Sequence, residues 1–296
     1  MDLTPLFNRP DLPPLAPGTL YLVATPIGNL EDITLRALRT LAQCDVVAAE
    51  DTRRTGQLLS HFKISKRLLS CFEFNERRRS EELIQILRGG GKVALVSDAG
   101  SPGVSDPGER LVRAVLEAGL RVECIPGACA LIAGLTASGL PTEEFHFVGF
   151  LPHKSGQRRK RLETLRPVPG TWVLYESPYR VEKLLAELQD LYPDRSVVLA
   201  RELTKRHEEF LRGTPAQLIE QWRRRPRKGE FVVLIGSSGD APTTLASQAD
   251  DEGDEQEGAE SADDRGPGRN VELVGGEEAA SSAEDSDDPS DPEHPA

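Results

Sequence analysis

Apolar residues along this chain come in short, dense runs. Eight have strand length and β-favouring composition: residues 20–24, 46–49, 93–96, 122–125, 145–148, 172–175, 197–200 and 231–235. Between many of them the apolar spacing changes to the helical period, at 33–42, 80–87, 109–118, 181–191 and 216–222. Strands alternating with helices predict α/β layers. The segment 126–140 is rich in small residues and bounded by Pro and Gly, which suits a buried helix followed by a crossing between two domains. A boundary near Pro126 follows, giving an N-terminal extension (1–17), two α/β domains (18–125 and 126–237) and a tail (238–296). No repeat of the solenoid or propeller periods is evident.

Composition sharpens that division. A chain of 296 residues with 38% hydrophobic content can bury a sizeable core. The net charge of −12 conceals an asymmetry: residues 238–296 hold 19 acidic and two basic side chains, a charge of −17 that leaves 1–237 at +5. Only Leu245, Val271, Leu273 and Val274 are large aliphatics in that tail, too few to offset chain entropy, so it is expected to be disordered. It reads as a solubilising appendage, with competition against RNA for a basic surface as the alternative. No run approaches the roughly 20 apolar residues of a membrane span, so a cytoplasmic protein is expected. Cys44, Cys71, Cys124 and Cys129 form neither a CxxC pair nor a zinc spacing and read as small buried residues, with no metal implied.

Three loops follow predicted strands, and ligands of open α/β sheets bind outside the carboxyl ends of strands. Thr25-Pro26-Ile27-Gly28-Asn29-Leu30 comes first, with Pro fixing the backbone and Gly permitting close approach. The second, from Asp98 to Gly108, is eleven residues dense in Gly and Pro. Its small side chains leave room for a flat ligand, its amides can meet polar edges, and Asp98 can stabilise a cation. The third, Pro126 to Ala130, opens a helix with free N-terminal amides. Neither GxGxxG nor GxxxxGK[ST] is present, so the common nucleotide sites find no support. These features stop at a ligand-binding α/β protein.

The run from Leu20 to Leu38, with Ala49-Glu50-Asp51-Thr52-Arg53, resembles the signature of the ribosomal RNA small-subunit methyltransferase I family, a branch of the tetrapyrrole methylases. Residues 97–108, 135–141, 149–152, Tyr175-Glu176-Ser177-Pro178, Arg201-Glu202-Leu203-Thr204-Lys205 and 228–232 extend the resemblance, in order, over about 18–236. It implies a two-domain tetrapyrrole-methylase (class III methyltransferase) fold, S-adenosylmethionine folded into the interdomain cleft, and a homodimer. The implied activity is 2′-O-methylation of a cytidine ribose in the decoding region of 16S rRNA, in the assembled small ribosomal subunit. Carried over by residue, the cofactor site is Pro26, Asp98, Ala99, Gly100, Ser101, Cys129, Ala130, Tyr175, Leu203 and Glu230. The chain departs from the family pattern at Phe72, Phe74 and Tyr179, where many members carry histidine, so those histidines cannot be essential bases.

A sulfonium methyl is already activated, so the protein must mainly align a ribose oxygen and help remove its proton. Glu176 and Lys205, each near the end of a predicted strand, are the candidate catalytic groups, with Lys205 read as a neutral base if desolvated. A structural salt bridge is the competing role for each. His153, His207 and Glu209 are secondary candidates. For RNA phosphates the densest cluster is Lys154, Arg158, Arg159, Lys160 and Arg161, with Arg223, Arg224, Arg225, Arg227 and Lys228 second and Arg53 and Arg180 nearer the motifs. Few aromatics stand outside core-like contexts, so recognition by shape is expected over base stacking. Two rivals remain at this level: a precorrin C-methyltransferase of the same fold, and a non-catalytic RNA-binding assembly factor. The motifs beyond the cofactor loops weigh against the first and the intact second loop against the other. Deleting 238–296 is expected to leave the melting temperature unchanged; a large fall on truncation would contradict a disordered tail.

Overall fold

Strands buried on both faces read as unbroken apolar runs, and the period of two then sorts alternate side chains to opposite layers. A computed structural model, which describes residues 11–237, shows that sorting in its first sheet. Five parallel strands, β1 (Thr19–Val23), β2 (Val46–Ala49), β3 (Arg67–Ser70), β4 (Lys92–Val96) and β5 (Arg121–Ile125), lie in the order β3-β2-β4-β1-β5. Tyr21, Val23, Val47, Ala49, Ala94 and Val96 face one side, packed with Ala37 and Leu41 of helix α1 (Leu35–Gln43) and Leu59 of α2 (Thr52–His61). Leu20, Val46, Ala48, Val93 and Leu95 face the other, under Leu83 and Leu87 of α3 (Glu76–Arg88) and Leu111 and Val115 of α4 (Glu109–Glu117). Parallel pairing brings every strand's carboxyl end, and therefore all three candidate loops, to one edge.

The second sheet is mixed. Strands β6 (Phe145–Phe150), β7 (Thr171–Glu176), β8 (Val197–Arg201), β9 (Glu209–Gly213) and β10 (Phe231–Ile235) run in the order β6-β7-β10-β8-β9. Only β6 and β7 are parallel; the last described strand, β10, enters between β7 and β8 and pairs antiparallel with both. One face carries Trp172, Leu174, Leu199 and Val233 beneath α6 (Ser155–Leu165), α7 (Pro178–Leu191) and α8 (Pro215–Arg224). The opposite face, Val173, Val198, Ala200, Val232 and Leu234, is covered by α5 (Ala130–Ser138) through Leu135 and, from the first loop, by Ile27. Gly134 sits where a Cβ would meet Val232 Cγ1 at 3.2 Å, so α5 lies on β10 at backbone range. Thus the small-residue segment after Pro126 is a helix that packs on the second sheet.

Two strands, β3 and β9, lie outside the eight apolar runs. Both are sheet edges with half-buried side chains, which need no such run. The cysteines divide: Cys44 and Cys71 are buried, and burial pushes each thiol up to about 11, whereas Cys129 is half-buried and Cys124 exposed, against the expectation for it. The acidic tail and the first ten residues lie outside the described residues. Among those described, no helix is long and apolar enough to cross a membrane.

The basic run on α6 needs a correction. Arg158 is 3% exposed, and its guanidinium pairs bidentately with Glu187 of α7, Nε to Oε2 and Nη2 to Oε1 both at 2.7 Å, while Ser155 Oγ donates to the same carboxylate. It ties α6 to α7 and offers nothing to a phosphate. Breaking one side of such a pair leaves a buried charge unpartnered, at about 3–5 kcal/mol, whereas apolar replacement of both is often tolerated. Glu187→Leu is therefore expected to lower unfolding free energy in urea by about that amount, and Arg158→Met/Glu187→Leu to recover most of it; equal losses would refute the buried pair.

Candidate active site

Two reciprocal backbone hydrogen bonds join the first loop to the second: Thr25 N–H donates to Gly100 O at 2.9 Å and Gly100 N–H to Thr25 O at 3.0 Å. Thr25 Oγ1 adds a bond to Ser97 O at 3.1 Å. Gly100 turns with φ +82°, a conformation that strains any residue with a Cβ. The far end of the second loop is held by Glu76 of α3, a buried carboxylate whose Oε1 accepts from the N–H groups of Gly108 and Leu111, both at 3.0 Å. Gly108 has no side chain to cap α4, and Glu76 supplies the missing acceptor from another helix. The third loop reaches the second sheet through Leu131 N–H, which donates to Tyr175 Oη at 3.1 Å. Burial pushes that phenol up to about 12, and the rings of Phe147 and Phe150 meet it edge-on at 5.0 and 5.7 Å.

These contacts enclose a cavity of about 380 Å³. Ala99, Gly100, Ser101, Cys129, Ala130, Tyr175, Leu203 and Glu230 line it, together with Ile27, Asp106 and Phe231. Of the ten residues implied for a cofactor, only Pro26 and Asp98 are absent from its wall. They line a separate cavity of about 370 Å³ behind the Thr25–Gly100 bridge. Sequence reasoning missed Asp106, although it lies within the second loop. Burial, then the nearby carboxylates of Glu50 and Asp98, push its carboxyl up to about 6. Glu50 is also raised, chiefly by burial, while accepting the N–H of Asp98 at 3.2 Å.

Both candidate catalytic groups border the first cavity. Glu176 is 3% exposed; Oε1 accepts from Ser177 N–H at 2.8 Å and lies 3.0 Å from Arg180 Nε, while Oε2 has no hydrogen-bond partner among the described residues. Burial raises its pKa, the direction that suits a proton acceptor. Lys205 differs from expectation. Burial opposes its charge, but its Nζ donates to Glu230 Oε2 at 2.8 Å and Glu202 Oε1 at 2.9 Å, and these bonds prevail, raising the pKa. A neutral-base role is therefore corrected: this ammonium stays charged. Its stem crosses Gly28 so closely that a Cβ there would collide with Lys205 Cγ, which locks the first loop to the second sheet. Glu202 and Thr204 flank this lysine with φ of +49° and +67°, a strained stretch at the cavity's edge.

Of the secondary candidates, Glu209 is held bidentately by Arg227, His153 Nδ1 lies 3.2 Å from Arg180 Nη1, and His207 is exposed. Among the basic candidates, Arg180 is committed to Glu176 and to Leu151 O, and Arg159 to Asp190. Lys154, Lys160, Arg161 and Arg53 remain exposed, Arg53 sharing a 2.8 Å ion pair with Asp51. Aromatic groups are less hidden than composition suggested: Phe74 is 89% and Tyr179 87% exposed, both following sheet strands near their carboxyl ends.

Residues 19–219 match the family described as Tetrapyrrole (Corrin/Porphyrin) Methylases. The chain is 49% identical over 223 residues to "Ribosomal RNA small subunit methyltransferase I" of Halalkalibacterium halodurans, covering 75% of this chain and 77% of that one. A protein of the same name from Mesorhizobium japonicum is 51% identical over 225 residues, covering 75% and 76%. Among solved structures, uroporphyrin-III C-methyl transferase from Thermus thermophilus, complexed with S-adenyl homocysteine, shares the fold with a TM-score of 0.51 at 22% identity, covering 74% of this chain and 97% of that one.

The raised carboxyl of Asp106 gives the site a pH signature. The fold disfavours its charged form, so stability present at low pH is lost as pH rises from the ordinary carboxylate range, about 4, through about 6. Asp106→Asn removes that loss. Its gain in melting temperature over the unaltered chain is expected to be larger at pH 8 than at pH 5; an equal gain at both would exclude the shift.

Proposed function

From the chain's membership of the tetrapyrrole methylase family, in its ribosomal RNA small subunit methyltransferase I branch, we propose that it transfers a methyl group from S-adenosylmethionine to a cytidine 2′-hydroxyl of 16S rRNA. The observation that carries the donor half of this reading is the first cavity. Eight of the ten residues implied one by one by resemblance, from the second and third loops and the second half of the chain, line a single space of about 380 Å³, with Ile27 of the first loop beside them. Its walls suit a purine nucleoside with a charged sulfur: small side chains and backbone on one side, Tyr175, Leu203 and Val232 on the other, and the carboxylate of Asp106, with Asp98 outside the wall but near enough to act on Asp106 electrostatically, toward which a cation is drawn. S-adenosylmethionine, when bound, supplies a methyl group on a positively charged sulfur.

The chain's own residues then have three tasks. Ala99, Gly100 and Ser101 present backbone to the donor at close range, fixed by the Thr25–Gly100 bridge. Lys205, held charged between Glu202 and Glu230, keeps the first loop against the cavity wall, its stem lying across Gly28. Glu176, with its unpartnered Oε2 and raised pKa, accepts the hydroxyl proton as the new C–O bond forms and the C–S bond breaks. The proton is thus lost from O2′ to the carboxylate, and the sulfur leaves neutral. The relatives' names carry the acceptor as far as small-subunit ribosomal RNA; the cytidine 2′-hydroxyl rests on the resemblance of the sequence motifs, and the net charge of +5 over residues 1–237 suits an RNA partner.

The deciding experiment is transfer of labelled methyl to isolated 30S subunits that lack the modification, with nuclease mapping of the product. Label is expected on a cytidine 2′-oxygen, absent with Asp98→Ala and reduced about 10²- to 10⁴-fold in kcat with Glu176→Gln. Label on a tetrapyrrole but on no RNA would reassign the substrate.

A further inference from the structure

The second cavity holds Pro26 and Asp98 but none of the other eight implied cofactor residues. Its volume is about 370 Å³, and its wall is built by Pro26, Gly28 and Leu30 of the first loop, Arg54, Thr55, Gln57, Leu58 and His61 of α2, and Ser97 and Asp98. Thr25, Pro26, Gly28, Ser97 and Asp98 line the second cavity, whereas Ile27, Ala99, Gly100 and Ser101 line the first. The two spaces therefore stand back to back across one thickness of backbone, the Thr25–Gly100 bridge.

We propose that this second cavity seats the base of the acceptor nucleotide, a pyrimidine displaced from its RNA, while its ribose lies at the shared wall. The inference rests on the reading of the chain as an RNA methyltransferase. The chemistry of the wall recognises a base in three ways. Pro26, Leu30 and Leu58 offer flat or apolar contact to a ring face, and Leu30 is an exposed apolar residue that such a ring would cover. The Gln57 amide, which makes no hydrogen bond among the described residues, has a donor and an acceptor to match a base edge, and the Thr55 hydroxyl stands nearby on the same helix. Asp98 is an acceptor suited to an exocyclic amino group of the cytosine kind. It already accepts Asp51 N–H at 3.1 Å and pairs with Arg54 at 3.2 Å, which fixes its orientation. Outside, Arg53 and Arg54 have side chains 87% and 68% exposed, placed to meet the phosphates on either side of a displaced nucleotide.

The methionine arm of the donor is the competing occupant, since Pro26 and Asp98 are implied cofactor residues. The test separates them. Gln57→Ala, Thr55→Val and Arg54→Ala, made in the full chain, are assayed for single-turnover transfer to unmodified 30S subunits and, by calorimetry, for S-adenosylhomocysteine affinity. Transfer is expected to fall about tenfold or more with Gln57→Ala and Thr55→Val, while S-adenosylhomocysteine affinity stays within about twofold. Arg54→Ala is expected to weaken subunit binding and flatten its salt dependence. Unchanged transfer in all three overturns the proposal, and so does a parallel loss of S-adenosylhomocysteine affinity, which gives the cavity to the donor. Saturation-transfer NMR with cytidine 5′-monophosphate is independent of turnover: a base-proton signal that disappears with Gln57→Ala supports the base seat, and no such signal with the unaltered protein overturns it. Failure of the unaltered protein to methylate any RNA removes the functional reading itself and is thereby distinguishable.

Discussion

Thr25 and Gly100 exchange two backbone hydrogen bonds, and the geometry of both cavities hangs on that exchange. A strand-to-helix loop normally answers only to the strand before it. Here the first loop is pinned to the second by main chain, with Ser97 O taking the Thr25 hydroxyl as a third tie. The result is a thin, rigid wall whose two sides carry different residues of the same short segments. Rigid placement matters because methyl transfer needs the attacking oxygen, carbon and sulfur in line, and a displacement of about 1 Å costs roughly a hundredfold in rate.

The wall is held from three further directions, each by a side chain remote in sequence. Glu76 fixes the end of the second loop, Tyr175 receives the first turn of α5, and Lys205 lies across Gly28 with its ammonium between two carboxylates. Ile27 also contributes to the apolar layer under the second sheet. The cavity lining is therefore made continuous with a packed core. That continuity explains how loops dense in glycine hold a shape that their composition alone would leave mobile.

Much of this was legible in the sequence, because glycine and proline crowded after an apolar run signal backbone that must come close to something. Eight of the ten cofactor candidates share one cavity, and the other two, Pro26 and Asp98, line the second, on the Thr25 side of the Thr25–Gly100 bridge. What the sequence hid was pairing. Arg158 looked like one of five equivalent cations until α7 brought Glu187 to it from 29 positions away. Lys205 looked free to lose its proton until β10 brought Glu230 beside it. Edge strands β3 and β9 lacked apolar runs because only half of each is covered. The exposed rings of Phe74 and Tyr179 were hidden for the opposite reason: composition counts aromatics without saying which of them the core has left outside.

The place of β10 also sets an order of assembly. The last strand among the described residues is the middle strand of its sheet, with β7 and β8 meeting only through it. Until residues 231–235 have emerged from synthesis, the second half has two separate pairs of strands and no continuous surface for α5 and Ile27 to cover. Glu230, Phe231 and Val232 arrive with that same strand and are themselves part of the first cavity's wall. Non-local pairing of this kind is slow, since a long loop must close before any contact rewards it. A nascent chain can thus form its first sheet early and yet have no finished cleft, so a truncated or stalled copy carries the loops of the site without the geometry that would let it act.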